Sequence, residues 1–255
     1  MSIQSDLQID SISSKTLFSH SKMLKHMFRW CDFMLVVIVQ GFMLLQVGFF
    51  YLLLRLRSPQ RAKQASTCEI RTISVVVPAF NEAHSISRCL RTLASTRELQ
   101  QPDEIEVIVC DAGCQDATVA IVAEMAPTLP FAIQITSSQG GRGPALNAGI
   151  RAAKGDVILV LHADTLLPAG WDVAVLHALR TPGVLMTAFR FGCDRNSLLQ
   201  PSAPPAGLAV MEFTVNLRST WYELPFGDQA LALTARTLSA VGGYPDFCIL
   251  EEYEL

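Results

Sequence analysis

The sequence predicts an α/β domain built on a mostly parallel sheet flanked by helices, preceded by one transmembrane helix. Three observations carry that expectation. Between residues 72 and 161, β-branched apolar runs alternate with segments whose apolar residues recur at helical spacing. These units end or restart in polar turns rich in Asn, Asp, His and Gly, the layout of a ligand edge at the carboxyl ends of parallel strands. Ahead of them, Phe33 to Leu54 contains no charged residue.

A chain of 255 residues can bury one large core or two small ones. The formal net charge of −3, with no basic tract interleaved with aromatics, argues against nucleic acid as a partner. Seven cysteines (31, 68, 89, 110, 114, 193 and 248) form no C-x-x-C pair. Cys110 and Cys114 lack nearby His or Cys partners for zinc, and scattered thiols suit a reducing compartment.

Residues 1–32 are polar and mildly basic, an expected mobile segment. The 22 residues 33–54 would span about 33 Å as a helix, the thickness of a hydrocarbon core. Gln40 and Gln46 interrupt the span and suit contact with a partner helix. Basic residues flank both ends, with a slight excess at Arg55, Arg57, Arg61, Lys63 and Arg71, so the positive-inside rule leans towards a cytoplasmic C-terminal domain. Residues 55–71 read as a linker and 72–255 as the globular domain.

The first strand is Ile73–Val77, expected to stop at Pro78. Ala79-Phe80-Asn81-Glu82-Ala83 follows, then Ile86, Leu90 and Leu93 at helical spacing. Asn81 is placed as an N-cap, and exposed N–H groups of this turn suit an anion or a base edge. The second strand, Glu104–Cys110, ends in Asp111-Ala112-Gly113-Cys114-Gln115-Asp116-Ala117-Thr118. Asp111 at the strand end is placed to accept hydrogen bonds from a ligand, whereas Asp116 reads as a cap for the next helix.

A third strand, Phe131–Thr136, leads into Gly140-Gly141-Arg142-Gly143-Pro144. Pro144 suits a helix's first turn, the helix running to about Lys154, and a Gly-rich loop with Arg142 suits a diphosphate. The dinucleotide fingerprint G-x-G-x-x-G with a distal acid is not met. The fourth strand, Val157-Ile158-Leu159-Val160-Leu161, reads as buried on both faces and ends in His162-Ala163-Asp164-Thr165. Asp164 suits a hard divalent cation or a ligand hydroxyl, or caps the following turn. Units converging on one edge make a single nucleotide site the economical reading.

The order of these motifs resembles the family 2 glycosyltransferases, whose nucleotide-binding fold is the GT-A type. Val77–Glu82 is similar to the family's opening P-x-x-N-E stretch. Asp111–Thr118 is similar to its D-G-S-x-D-x-T turn, with Cys114 for Ser. Gly141–Gly149 resembles its K/R-G-x-x-x-A-x-N-x-G segment, and His162-Ala163-Asp164 falls at its metal-binding D-x-D. L-H-A-D-T and Gly227-Asp228-Gln229 resemble one subgroup of the family.

The resemblance implies a metal-dependent, inverting transfer of a sugar, of hexosyltransferase type, from a nucleotide-diphosphate donor. Pro78, Ala79, Asn81, Glu82, Asp111, Arg142, Asn147, His162 and Asp164 would contact the donor. Asp164 would hold Mg²⁺ or Mn²⁺, and Gly227, Asp228 and Gln229 would face the acceptor. Leu250-Glu251-Glu252-Tyr253 stands where the family has E-D, making Glu251 and Glu252 catalytic, with Glu252 the base. The membrane span suggests a lipid-linked acceptor. Two other readings stand beside it: a non-catalytic membrane-anchored nucleotide-sugar-binding protein, and a sugar-phosphate nucleotidyltransferase.

In the second half, Val184–Phe191 and Ala230–Thr234 read as strands, and 200–205 is a Pro-rich connector. Leu208, Met211, Val215 and Leu217 mark an amphipathic helix, packed as core or lying at the membrane surface. Gly242–Asp246 is a turn. Relatives continue past this point with a basic helix, so the chain reads as either a minimal form or a fragment.

Overall fold

The computed structural model describes residues 34, 37–42, 45–46, 69–101, 104–195 and 207–244. Among them, strands β1 (Ile73–Ala79), β2 (Ile105–Asp111), β3 (Ala132–Ser137), β4 (Val157–Val160), β5 (Met186–Thr187) and β6 (Leu231–Thr234) form one sheet in the order β3-β2-β1-β4-β6-β5. The first four are parallel, and β6 runs antiparallel to β4 and β5. The sheet is therefore mostly parallel, as expected. Strand order reverses between β1 and β4, which makes the gap beyond their carboxyl ends the topological switch point where α/β sheets take ligands.

The helices are α1 (Ile86–Thr96), α2 (Thr118–Met125), α3 (Arg142–Ala152), α4 (Trp171–Arg180), α5 (Leu208–Trp221) and α6 (Ala235–Val241). Alternation along the strands splits the core in two. Val75, Val77, Val107, Val109 and Leu159 pack with Ile86, Leu90 and Leu93 of α1, Val122 of α2 and Trp171 and Leu176 of α4. Val76, Ile108, Ile158 and Val160 pack with Leu146 of α3 and Leu238 of α6. Full burial of each such side chain contributes about 1.5–3 kcal/mol, and burial on both faces explains why these strands read as unbroken apolar runs.

Several local expectations are corrected. β1 does not stop at Pro78 but continues to Ala79. Val76 accepts Leu161 N–H from the β4 side, and Pro78, two residues on, would point its missing N–H the same way. The β4 ladder has already ended at Val76, so no donor is lost. The long strand predicted over Val184–Phe191 shortens to Met186–Thr187, with Phe189 N–H bonded instead to the Gln229 carbonyl. α3 ends at Ala152, short of Lys154.

The close approach of α3 to the sheet requires Gly149. A Cβ there would collide with the Cys110 sulfur and stand 2.7 Å from Val76 Cγ1.

The chain divides into two compact units, Met1–Leu56 with Gly192–Leu217, and Arg57–Phe191 with Arg218–Leu255. The second holds the sheet. In the first, Met34 and residues 37–42 and 45–46 are helical, and the Thr214 hydroxyl lies 3.1 Å from Gln40 Oε1 and 3.0 Å from the Met211 carbonyl, its one proton shared between the two acceptors. Gln40 thus faces a partner helix, as its place in the apolar span suggested. Among the described residues no helix is long and apolar enough to cross a membrane. Much of the predicted 33–54 span, residues 1–32, most of the linker and the Pro-rich connector lie outside the described residues.

Candidate active site

The turns after β1 and β2 are bound to each other by side chains. Asn81 adopts a left-handed conformation (φ +58°), and its Oδ1 accepts the Gln115 N–H at 2.8 Å. Asn81 N–H lies 3.3 Å from the Cys114 sulfur, whose thiol lies 3.4 Å from the Ala79 carbonyl. Glu82 N–H donates to Thr118 Oγ1 at 2.8 Å, and Ala83 N–H to Asp116 Oδ2 at 3.0 Å. Asn81 is therefore not an N-cap, since α1 starts after Ser85, and the N–H groups of this turn are consumed inside the fold rather than offered to an anion. The reason is long-range: their acceptors lie more than thirty residues away in sequence. Asp116 acts structurally, its Oδ1 accepting the Thr118 N–H and hydroxyl, but it stands one residue ahead of the N-cap position, which Ala117 occupies.

Asp111 sits at the end of β2. Its Oδ1 accepts Gly113 N–H at 3.0 Å and Cys114 N–H at 2.7 Å, and Oδ2 has a longer 3.4 Å approach from the Ser137 hydroxyl. Burial pushes this carboxyl up, but the bonds from Cys114, Gly113 and Ser137 outweigh it and hold it below its ordinary value. It is a fixed anion with acceptor capacity left on Oδ2, suited to ribose or base donors.

Across the switch point, His162 and Asp164 follow β4. Arg142, the first residue of α3, places Nη1 3.3 Å from His162 Nε2. Asp164 is exposed. Beneath it the buried Cys89 thiol approaches the His162 carbonyl at 3.7 Å. Burial first, then the charges of Asp164 and Glu82, push that thiol up to about 12. Among the described residues no three His, Cys, Asp or Glu side chains gather as a metal cage. A single carboxylate nevertheless fits Mg²⁺ or Mn²⁺ where phosphate oxygens complete the shell, because such ions are often held by one or two carboxylates plus substrate phosphate.

Other expected contacts have structural partners. Asn147 donates from Nδ2 to the Tyr244 carbonyl at 2.7 Å and accepts Tyr244 N–H at 3.2 Å, so its amide ties α3 to the turn after α6. Gln229 is buried, accepting from the Ser219 hydroxyl and Phe226 N–H and donating to the Phe189 carbonyl. It closes the short 3-10 turn Gly227–Gln229 instead of facing outward. Asp228 is half-buried beside it. Pro78 and Ala79 belong to β1, with Ala79 buried. Glu251 and Glu252 lie outside the described residues.

Sequence reasoning missed Asp172. Its fully buried carboxylate accepts Glu98 N–H through both oxygens and Leu99 N–H at 2.7 Å, fixing the loop after α1 to the start of α4. Gly170-Trp171-Asp172 ahead of Val175, Leu176 and Leu179 carried a helix-start signal, a Gly followed by a first-turn acid.

With this geometry in view, the comparisons with known proteins are consistent. The sequence profile of glycosyl transferase family 2 matches residues 74–241. An uncharacterized glycosyltransferase of Mycobacterium tuberculosis is 30% identical over 186 residues, covering 72% of this chain and 66% of that protein. The bactoprenol glucosyl transferase of Shigella phage SfV is 34% identical over 93 residues, 36% of this chain and 30% of that protein. An undecaprenyl-phosphate 4-deoxy-4-formamido-L-arabinose transferase of Pseudomonas fluorescens is 33% identical over 102 residues, 39% and 29% of the two chains. The fold is similar to that of a mannosyltransferase from Pyrobaculum calidifontis solved with GDP-Man and Mn²⁺, with TM-score 0.52, 22% identity, and coverage of 83% of this chain and 59% of that one. The chain belongs to glycosyl transferase family 2. It spans just under two thirds of the M. tuberculosis relative and less than a third of the other two curated relatives.

Proposed function

We propose that this chain carries the donor site of a metal-dependent, inverting glycosyltransferase acting on a lipid-linked acceptor at a membrane, with its catalytic unit on the cytoplasmic side. The observation that carries this reading is the placement of Asp111 and Asp164 on the two sides of the switch point, with the Arg142–His162 pair at the same edge. Asp111 would accept from the nucleoside. Arg142 would turn its donors to the diphosphate, where a positive charge favours the leaving group as negative charge develops on it. Asp164 would hold Mg²⁺ or Mn²⁺, which when bound supplies further positive charge to that leaving group. The acceptor oxygen attacks the anomeric carbon from the face opposite the nucleoside diphosphate, and the configuration inverts.

The acceptor class we infer is a polyprenyl phosphate, supported by one curated relative named for undecaprenyl phosphate, by another named for bactoprenol, and by the charge-free 33–54 span. A phosphate monoester has its second pKa at about 6, so at neutral pH most of the acceptor is already the dianion and its attacking oxygen has no proton to give up. Glu252 is then needed as a base for a hydroxyl acceptor and far less for a phosphate one.

The experiment is thermal stability of the full chain against UDP- and GDP-sugars and their diphosphates, with and without Mn²⁺, for the wild type and Asp164→Asn. Ligand at about 100 times its Kd stabilises by about 2.7 kcal/mol. A metal-dependent shift with one nucleotide, lost in Asp164→Asn, is expected. A cooperative transition unmoved by every ligand overturns the donor site. With a donor found, transfer of labelled sugar to polyprenyl phosphate tests the acceptor, and Glu252→Gln retaining that transfer is the expected result.

A further inference from the structure

The first compact unit carries an observation that the donor site does not use. The helical residues near the N-terminus expose Met34, Ile38, Val39, Phe42 and Leu45, with Leu45 74% accessible. At 100° per residue, Met34, Ile38, Phe42 and Leu45 share one stripe, and Gln40 falls on the opposite side. That opposite side meets α5 through Gln40 and Thr214, whose hydroxyl is buried between them. On α5, Phe213 is the neighbour of Thr214 and is 65% exposed, one helical turn beyond the exposed Ala209.

The charged residue in this part of α5 is already neutralised. Glu212 accepts Cys193 N–H at 2.9 Å and an Arg195 guanidinium nitrogen at 3.0 Å. Among residues 208–217 the exposed ones are Ala209 and Phe213, both apolar.

We infer that the amino-terminal half of α5 is a second lipid-facing segment, paired with the helical residues 37–42 through Gln40 and Thr214, and that Phe213 contacts acyl chains. The proposal rests on the membrane-anchored part of the reading above and not on its chemistry. Acyl chains fit better than a second copy of the chain for two reasons. The 22 charge-free residues match the thickness of a hydrocarbon core. An amide-to-hydroxyl bond between two otherwise apolar helix faces is a device by which helices associate in lipid, where no hydrophobic force drives them together. α5 therefore belongs neither wholly to the sheet core nor to bulk water.

The test uses the full chain in liposomes of tritiated phosphatidylcholine, with a photoreactive benzoylphenylalanine installed singly at 38, 213, 214 or 173. Position 173 on α4 is the exposed control from the other unit. Expected are lipid adducts from 38 and 213, an adduct from 214 to the peptide containing Gln40, and background labelling from 173. Lipid labelling at 38 with only background at 213 overturns the assignment of α5 while keeping the N-terminal anchor. Chain-to-chain adducts at 213 overturn it in favour of a second copy. Background labelling at both 38 and 213 overturns it together with the anchor. No donor or acceptor is present, so failure of the glycosyl-transfer reading leaves the result unaffected.

Discussion

Arg142 Nη1 lies 3.3 Å from His162 Nε2, joining the N-terminus of α3 to the turn after β4. A guanidinium can only donate, so Nε2 is the acceptor and the ring proton belongs on Nδ1. The pair holds the guanidinium over the strand ends before any ligand arrives, which lowers the ordering cost of a diphosphate contact. Arg142→Ala is expected to raise the Kd for a nucleoside diphosphate roughly 10–100-fold, since hydrogen bonds to charged groups contribute about 1.5–3 kcal/mol. Arg142→Lys should recover only part, lacking the two-pronged geometry. Titration calorimetry decides it, and an unchanged Kd in Arg142→Ala removes this residue from the donor site.

Asp172 holds two backbone donors in a fully buried position, and its bonded partners are the loop after α1 rather than any of the switch-point residues. Asp172→Ala removes the charged acceptor of the Glu98 and Leu99 N–H groups, and hydrogen bonds to charged groups contribute about 1.5–3 kcal/mol. Asp172→Asn keeps one acceptor oxygen and should cost less. Denaturant unfolding should order the three proteins as wild type, Asn, then Ala. Nucleotide affinity, measured where each remains folded, should stay at the wild-type value.

The sequence made the strands and their ends legible because burial on both faces leaves an unbroken β-branched run, as in Val157–Val160. That Asp111, Arg142, His162 and Asp164 stand at one edge of the sheet was legible for a related reason: topology sends every parallel strand's end there. What stayed hidden depends on partners distant in the chain. Asn147 reads as a ligand contact until Tyr244, 97 residues later, takes both ends of its amide. Gln229 reads as an outward polar residue until Ser219 and Phe189 surround it. Pro78 reads as a stop until the missing neighbour on the β4 side is known. No periodicity records such pairings, and a carboxylate such as Asp172 looks like any first-turn acid.

Asp156 supplies the pH dependence. Its Oδ2 accepts Arg71 N–H at 2.8 Å, Thr72 N–H at 3.1 Å and the Thr72 hydroxyl at 2.9 Å, closing the amino-terminal edge of β4 onto β1. Burial pushes this carboxyl up, but the bonds from Arg71 and Thr72, with the nearby Arg71 charge, outweigh it and leave it below its ordinary value. The unfolded chain thus binds this proton more readily than the folded one. The stabilisation is fully present above the unfolded value of about 3.9 and is lost as pH falls from there through the lower folded value. Asp156→Asn should weaken the protein near neutrality and flatten its loss of stability below about pH 4, where the wild type declines as its carboxylate is protonated. Unfolding midpoints taken from pH 7 down to pH 3 would show the two curves converging. Parallel curves would mean that the Arg71–Thr72–Asp156 contact is not linked to folding.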